Sequence, residues 1–148
     1  MDNTIVYVMM IVNALLMAML PFGVFMGLGS VLGVPSTDTR IFVAYVLATL
    51  VFSYLTALGS FALIQRNNCG SIKNMKQVSS NAGIAFGIQF VTILLVWLVP
   101  FLRNLVTGLL PPDLDKNILD AVGYSYFALW ASLYGTAVGG TMSAVCGK

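Results

Sequence analysis

The chain has 148 residues, 59% hydrophobic and 8% charged, with seven Lys and Arg against five Asp and a net charge of +2. Soluble domains are about half apolar and a quarter charged, so this composition excludes a water-soluble globule, and so few charges spread over several loops give no patch for nucleic acid. There is no histidine and no glutamate, which removes the usual haem and metal ligand, the usual proton shuttle and the usual base for a serine nucleophile, so a non-enzymatic protein without a cofactor or metal is expected.

The charges also divide the chain. None occurs in the 35 residues between Asp2 and Asp38, the 25 between Arg40 and Arg66, the 26 between Lys76 and Arg103, or the 27 between Asp120 and Lys148. About 20 apolar residues in a helix cross a hydrocarbon layer about 30 Å thick, so each interval holds one span. The expected fold is an all-α integral membrane four-helix bundle with short loops, a single transmembrane domain over residues 1–148 with spans near 4–28, 41–64, 80–102 and 119–145.

The first span opens at Thr4. Met1-Asp2-Asn3-Thr4 lacks the positive start of a secretory signal, and the apolar stretch after it is too long for a cleaved one, so the span is expected to stay. Pro21 removes a backbone hydrogen bond and predicts a kink near Met17 to Pro21. Pro35, Ser36, Thr37 and Asp38 read as a tight turn, with Asp38 or Thr39 capping the second span. That span ends in the polar run Gln65-Arg66-Asn67-Asn68-Cys69-Gly70. Ser79, Ser80 or Asn81 is expected to cap the third span, which runs to about Leu102 with Pro100 near its exit. Arg103 to Leu110 is too short to cross and lies along the interface before Pro111-Pro112; Asp113 or Asp115 then caps the approach to the fourth span.

Small residues recur every fourth position in the fourth span, as Ala131, Gly135, Gly139, Ser143 and Gly147, with a neighbouring row Ala128, Ser132, Thr136, Gly140, Ala144. Gly23/Gly27 in the first span and Gly83/Gly87 in the third repeat the spacing. Such rows let another backbone approach closely, which is how helices associate in lipid, so the fourth helix is expected inside the bundle or against another subunit. Asn13, Gln89 and, less deeply, Thr92 are polar groups within spans. Asn and Gln carry no proton or fixed charge, and hydrogen bonding between helices is their expected role. Asp113, Asp115 and Asp120 lack the glycine and terminal glutamate of a calcium loop and read as caps.

Two cysteines far apart, Cys69 and Cys146, form no metal pattern; unpaired thiols are the favoured reading, with a disulfide or lipidation as alternatives. Four spans put the termini and the 65–80 loop on one face with Arg66, Lys73, Lys76 and Lys148, against Arg40, Arg103 and Lys116 on the other, a four-to-three bias towards cytoplasmic termini. Phe42, Tyr45, Trp97, Phe101, Tyr124, Tyr126 and Trp130 gather towards the opposite face, as an interfacial belt would.

Four glycine-rich spans in 15.9 kDa resemble the proteolipid subunit of rotary proton pumps, a family that depends on a carboxylate in the middle of its fourth span. The corresponding stretch here, Phe127 to Gly135, holds no acid and so nothing to carry the proton. In general character, with the asparagines Asn67-Asn68, Asn74 and Asn81 in its connections and a small-residue end from Tyr134 to Lys148, the chain resembles the small multi-span membrane proteins that large icosahedral double-stranded DNA viruses place in the bilayer beneath their capsid. That resemblance implies a structural protein of a virion inner membrane, whose partners are the lipid bilayer and other membrane or capsid proteins, as a homo- or hetero-oligomer. It transfers no functional residue. The alternatives are an oligomeric channel or small-solute carrier lined by Asn13, Gln89, Thr92, Ser132 and Thr136, or an accessory subunit of a larger membrane complex.

Overall fold

The computed structural model describes residues 4–35 and 38–145. They form helices and no strand: α1 Thr4–Pro21, a π-helical segment Phe22–Leu28, α2 Gly29–Leu32, α3 Thr39–Cys69, α4 Met75–Leu98, α5 Pro100–Thr107 and α6 Lys116–Ser143. The first three pieces join end to end. Pro21 offers no N–H to the preceding turn, and the residues after it, with Gly23 and Gly27 among them, take the wider π register while the rod continues. It stops at Gly33, whose φ of 68° is open to glycine at little cost.

The caps explain most of the other boundaries. The Asp38 carboxylate accepts the Arg40 N–H at 2.9 Å and the Arg40 guanidinium at 3.1 and 3.2 Å. The guanidinium bond first, and the backbone bond second, hold the Asp38 carboxyl below its ordinary pKa of 3.8. α3 ends at Gly70, with φ 76°. The third long helix starts earlier than Ser79 to Asn81, because Asn74 caps it by accepting the Gln77 N–H at 3.1 Å. It also ends earlier: Pro100 forces Val99 out of the helical region, to φ −117° and ψ 87°, and then serves as the first residue of α5. Asp115 caps α6 by accepting the Asn117 N–H at 3.0 Å. Helix extension shortens the two longest connections to 70–74 and 108–115, less than the sequence suggests. Of the expected turn at Pro35 to Asp38, Ser36 and Thr37 lie outside the described residues, and the Asp38 N–H bonds the Pro35 carbonyl at 3.0 Å.

Three rods, Thr4–Leu32, Thr39–Cys69 and Met75–Leu98, are long and apolar enough to cross a membrane. α6, at 28 residues, is long enough but less apolar. The helices pack in a ring, α1 on α6, α6 on α4, α4 on α3 and α3 on α1, with α6 also reaching α3 across the middle. Neighbours run antiparallel: α1 meets α6 at Asn13 with Thr136 and again at Ala18 with Ser125. α3 shows how the ring is oriented. Tyr45, Thr49, Ser53, Ala57 and Phe61, four residues apart, are buried, while Val43, Leu47, Val51 and Leu55, at the same spacing, are exposed. Polar groups within and aliphatic groups without reverse the pattern of a soluble bundle, and suit a hydrocarbon solvent.

Candidate functional site

Near the middle of the bundle all four long helices contribute polar side chains to one place. Ser60 donates to Asn13 Oδ1 at 3.1 Å, and Asn13 Nδ2 donates to Thr136 Oγ1 at 3.4 Å, joining α3, α1 and α6. Gln89 on α4 donates to the Ala128 carbonyl of α6 at 3.5 Å. Between them lies a cavity of about 10 Å³, walled by Asn13, Ser53, Thr56, Gln89, Ser132 and Thr136 together with Met17, Ala57, Ala85 and Gly135. That is room for about one water molecule. Ser53 and Ser132, 7% and 8% exposed, line it; among the described residues neither hydroxyl enters a hydrogen bond, while the Ser53 carbonyl accepts the Thr56 hydroxyl at 3.2 Å. Thr92 is elsewhere, donating to the Ile88 carbonyl one turn back at 2.8 Å.

A second polar cluster closes the end where α3 meets α4. Buried Gln65 accepts the Lys73 and Asn74 N–H groups, each at 3.0 Å, and reaches the Ser143 carbonyl at 3.5 Å. Asn81 donates to the Ser143 hydroxyl at 2.9 Å. One amide thus holds the 70–74 turn in shape and ties it to α6. Val6, Ile64, Val78 and Ala144 pack in one apolar cluster at this end. Cys69, beside it, is disulfide-bonded, which replaces the favoured expectation of unpaired thiols; Cys146 lies outside the described residues.

The opposite end combines rings and charges. Phe25, Tyr45 and Tyr124 are buried against one another, with centroids 5.0 to 5.4 Å apart. Asp120, 8% exposed, lies 3.9 Å from Arg103 and 3.8 Å from Lys116. The Arg103 guanidinium sits 5.7 Å from the centre of the Tyr124 ring. These contacts hold the amphipathic α5 against α6, because the one acid is matched by a cation from each side. The aromatic residues expected as a single belt divide: Tyr45 and Tyr124 belong to the core, and Trp97, Phe101, Tyr126 and Trp130 face outwards.

The small-residue rows divide as well. Ala131, Gly135, Gly139 and Ser143 are buried. A Cβ on Gly135 would stand 3.3 Å from the Ala85 Cα of α4, and one on Gly139 would run into the Phe61 ring of α3. A Cβ on Gly23, Gly27, Gly83 or Gly87 would meet nothing within 4 Å among the described residues. Gly147 lies outside the described residues.

Among the described residues no three of His, Cys, Asp and Glu come together as a metal site would require. The sequence reading passed over Ser53, Ser60, Gln65 and Asn81 as functional positions. Their signal was present as polar residues at helical spacing inside apolar helices, Thr49, Ser53 and Ser60 being the case on α3. Comparison with protein-family models, with curated proteins and with solved structures finds no match to this chain.

Proposed function

We propose that this is a non-enzymatic structural membrane protein, a bundle with α6 as its fourth crossing, that associates sideways in lipid with further copies or with other membrane or capsid proteins of a virion. The observation that carries this reading is the division of the glycines. The α6 row is spent on holding the bundle together, whereas Gly83 and Gly87 on α4 leave a half-exposed strip of backbone where, among the described residues, an added Cβ would meet nothing within 4 Å. In lipid such a strip is what a second helix packs against. The end bearing Cys69 faces an oxidising compartment in this proposal, since disulfides persist there; that outweighs a four-to-three cation count. An impermeant amine reagent that reached Lys73 and Lys76 only from the cytoplasm would reverse the orientation.

The test of association uses two populations of the chain, each carrying one dye of an energy-transfer pair, reconstituted together in vesicles. Transfer should be strong for the parent and lost on Gly83→Leu with Gly87→Leu, with helix content unchanged. Transfer that persists in the double variant removes the proposed face. A pore is the second reading, favoured by the convergence of Asn13, Gln89, Ser132 and Thr136 on one cavity. Solute flux through the same vesicles, abolished by Gln89→Leu, would put the pore first.

A further inference from the structure

The mid-bundle cavity has a neighbour on the lipid side. Between α1 and α3 runs a groove of about 380 Å³ lined by Leu16, Leu20, Gly23, Val24, Ala48 and Phe52, and it shares Met17 and Thr56 as walls with the polar cavity. The groove is almost entirely apolar and falls in the size range of small-molecule sites. Met17 is buried and unbranched, a side chain that changes shape readily. The two spaces differ in chemistry and adjoin, which is the arrangement an amphiphile needs.

We propose that groove and cavity form one binding site, entered from the bilayer, for a membrane-dissolved amphiphile with a single hydroxyl head and an alkyl body. Each part of that description follows from a wall. Among the described residues no ionisable side chain lines either space, so a charged head would be stranded in low dielectric. The inner room takes one oxygen and little more. Ser53 and Ser132 each offer a donor and acceptors, and a hydroxyl, which unlike an amine of the same size stays uncharged, answers both roles at once. Water answers them too, but leaves the groove to bulk lipid; an alcohol fills both spaces. This site is independent of the association face on α4, which lies on another helix.

The probe is a hexadecanol carrying a photoreactive diazirine in the chain and a terminal alkyne, applied to the full chain in nanodiscs. Labelling should saturate, map to peptides containing Leu20 and Phe52, and be displaced by hexadecanol and not by hexadecane. Ser53→Ala with Ser132→Ala should weaken displacement about tenfold, the loss of one to two hydrogen bonds. Gly23→Leu, at a position with nothing within 4 Å, fills the groove without touching the bundle interior and should abolish labelling. Labelling that never saturates, displacement by hexadecane as effective as by hexadecanol, or full labelling of a helical Gly23→Leu protein each overturns the proposal, leaving water alone in the cavity and ordinary lipid in the groove.

Discussion

Gly135 and Gly139 on α6 and Gly83 and Gly87 on α4 share one spacing and end in opposite surroundings. At the α6 pair the neighbouring helices have closed in until an added methyl group would overlap the Phe61 ring at Gly139 and be crowded by Ala85 at Gly135. At the α4 pair the added methyl would meet nothing within 4 Å among the described residues. A four-residue repeat of glycine therefore states that a helix has a face another backbone can approach; which backbone does so is decided by the rest of the bundle. α6 is chosen for the interior because its other residues agree: Ser132, Thr136, Gly140 and Ser143 put polar or small groups on adjoining positions, and these find partners or cavity walls inside.

Gly139→Ala breaks the comparison most forcefully if it is wrong. Its Cβ falls on the Phe61 ring and 3.2 Å from the Asn81 carbonyl, and overpacking between a ring and a backbone places the expected loss near the top of the usual range, about 3 kcal/mol. Denaturation in mixed micelles reads it. Adding Phe61→Leu should return part of the loss, since two groups in contact couple; an unshifted midpoint for the single variant would mean that the interior is not packed as described. Gly135→Ala should lose less, about 1–2 kcal/mol. Here the obstacle is the α4 backbone at Ala85, with Cα at 3.3 Å and the carbonyl oxygen at 3.4 Å. The Ala85 methyl at 3.4 Å is the one removable part, so Ala85→Gly should recover some stability in the Gly135→Ala background and a Phe61 change should recover none.

What could be read in the sequence follows from which forces act locally. The long helices were legible because charge-free intervals report the solvent directly, and Asp38 and Asp115 were legible as caps because a short acceptor before an apolar run satisfies N–H groups of its own helix. Asn74 was missed as a cap because the serines at 79 and 80 carry the same local signal, and the choice between them was settled from a distance: Gln65, nine residues earlier, binds the Lys73 and Asn74 N–H groups and fixes where the turn ends. The facing of the glycines was illegible for a similar reason. Nothing within α4 records that Asn81, Ala85 and Gln89 turn to α6 and leave Gly83 and Gly87 aside. Tyr45 and Tyr124 illustrate the limit of composition: an aromatic near a span end suits both an interfacial belt and a core, and these two pack on Phe25.

The smallest effect sharpens the comparison by changing its sign. Gly83→Ala and Gly87→Ala add the same methyl group that disrupts α6, at positions with nothing within 4 Å. In the isolated bundle the substitution should stabilise, because alanine has fewer unfolded conformations to lose than glycine; the usual gain is about 0.4–1 kcal/mol. The lower end applies in lipid, where the unfolded reference keeps much of its helix. Dilute micelles, in which copies are apart, should show the small rise in stability, and concentrated vesicles should show weaker association of the same variants, because the methyl holds the approaching helix off. The two readouts moving in opposite directions is the signature of a face that is open within one molecule and used between molecules. A fall in both would mean that α4 packs these glycines inside its own bundle, and the contrast with α6 would be lost.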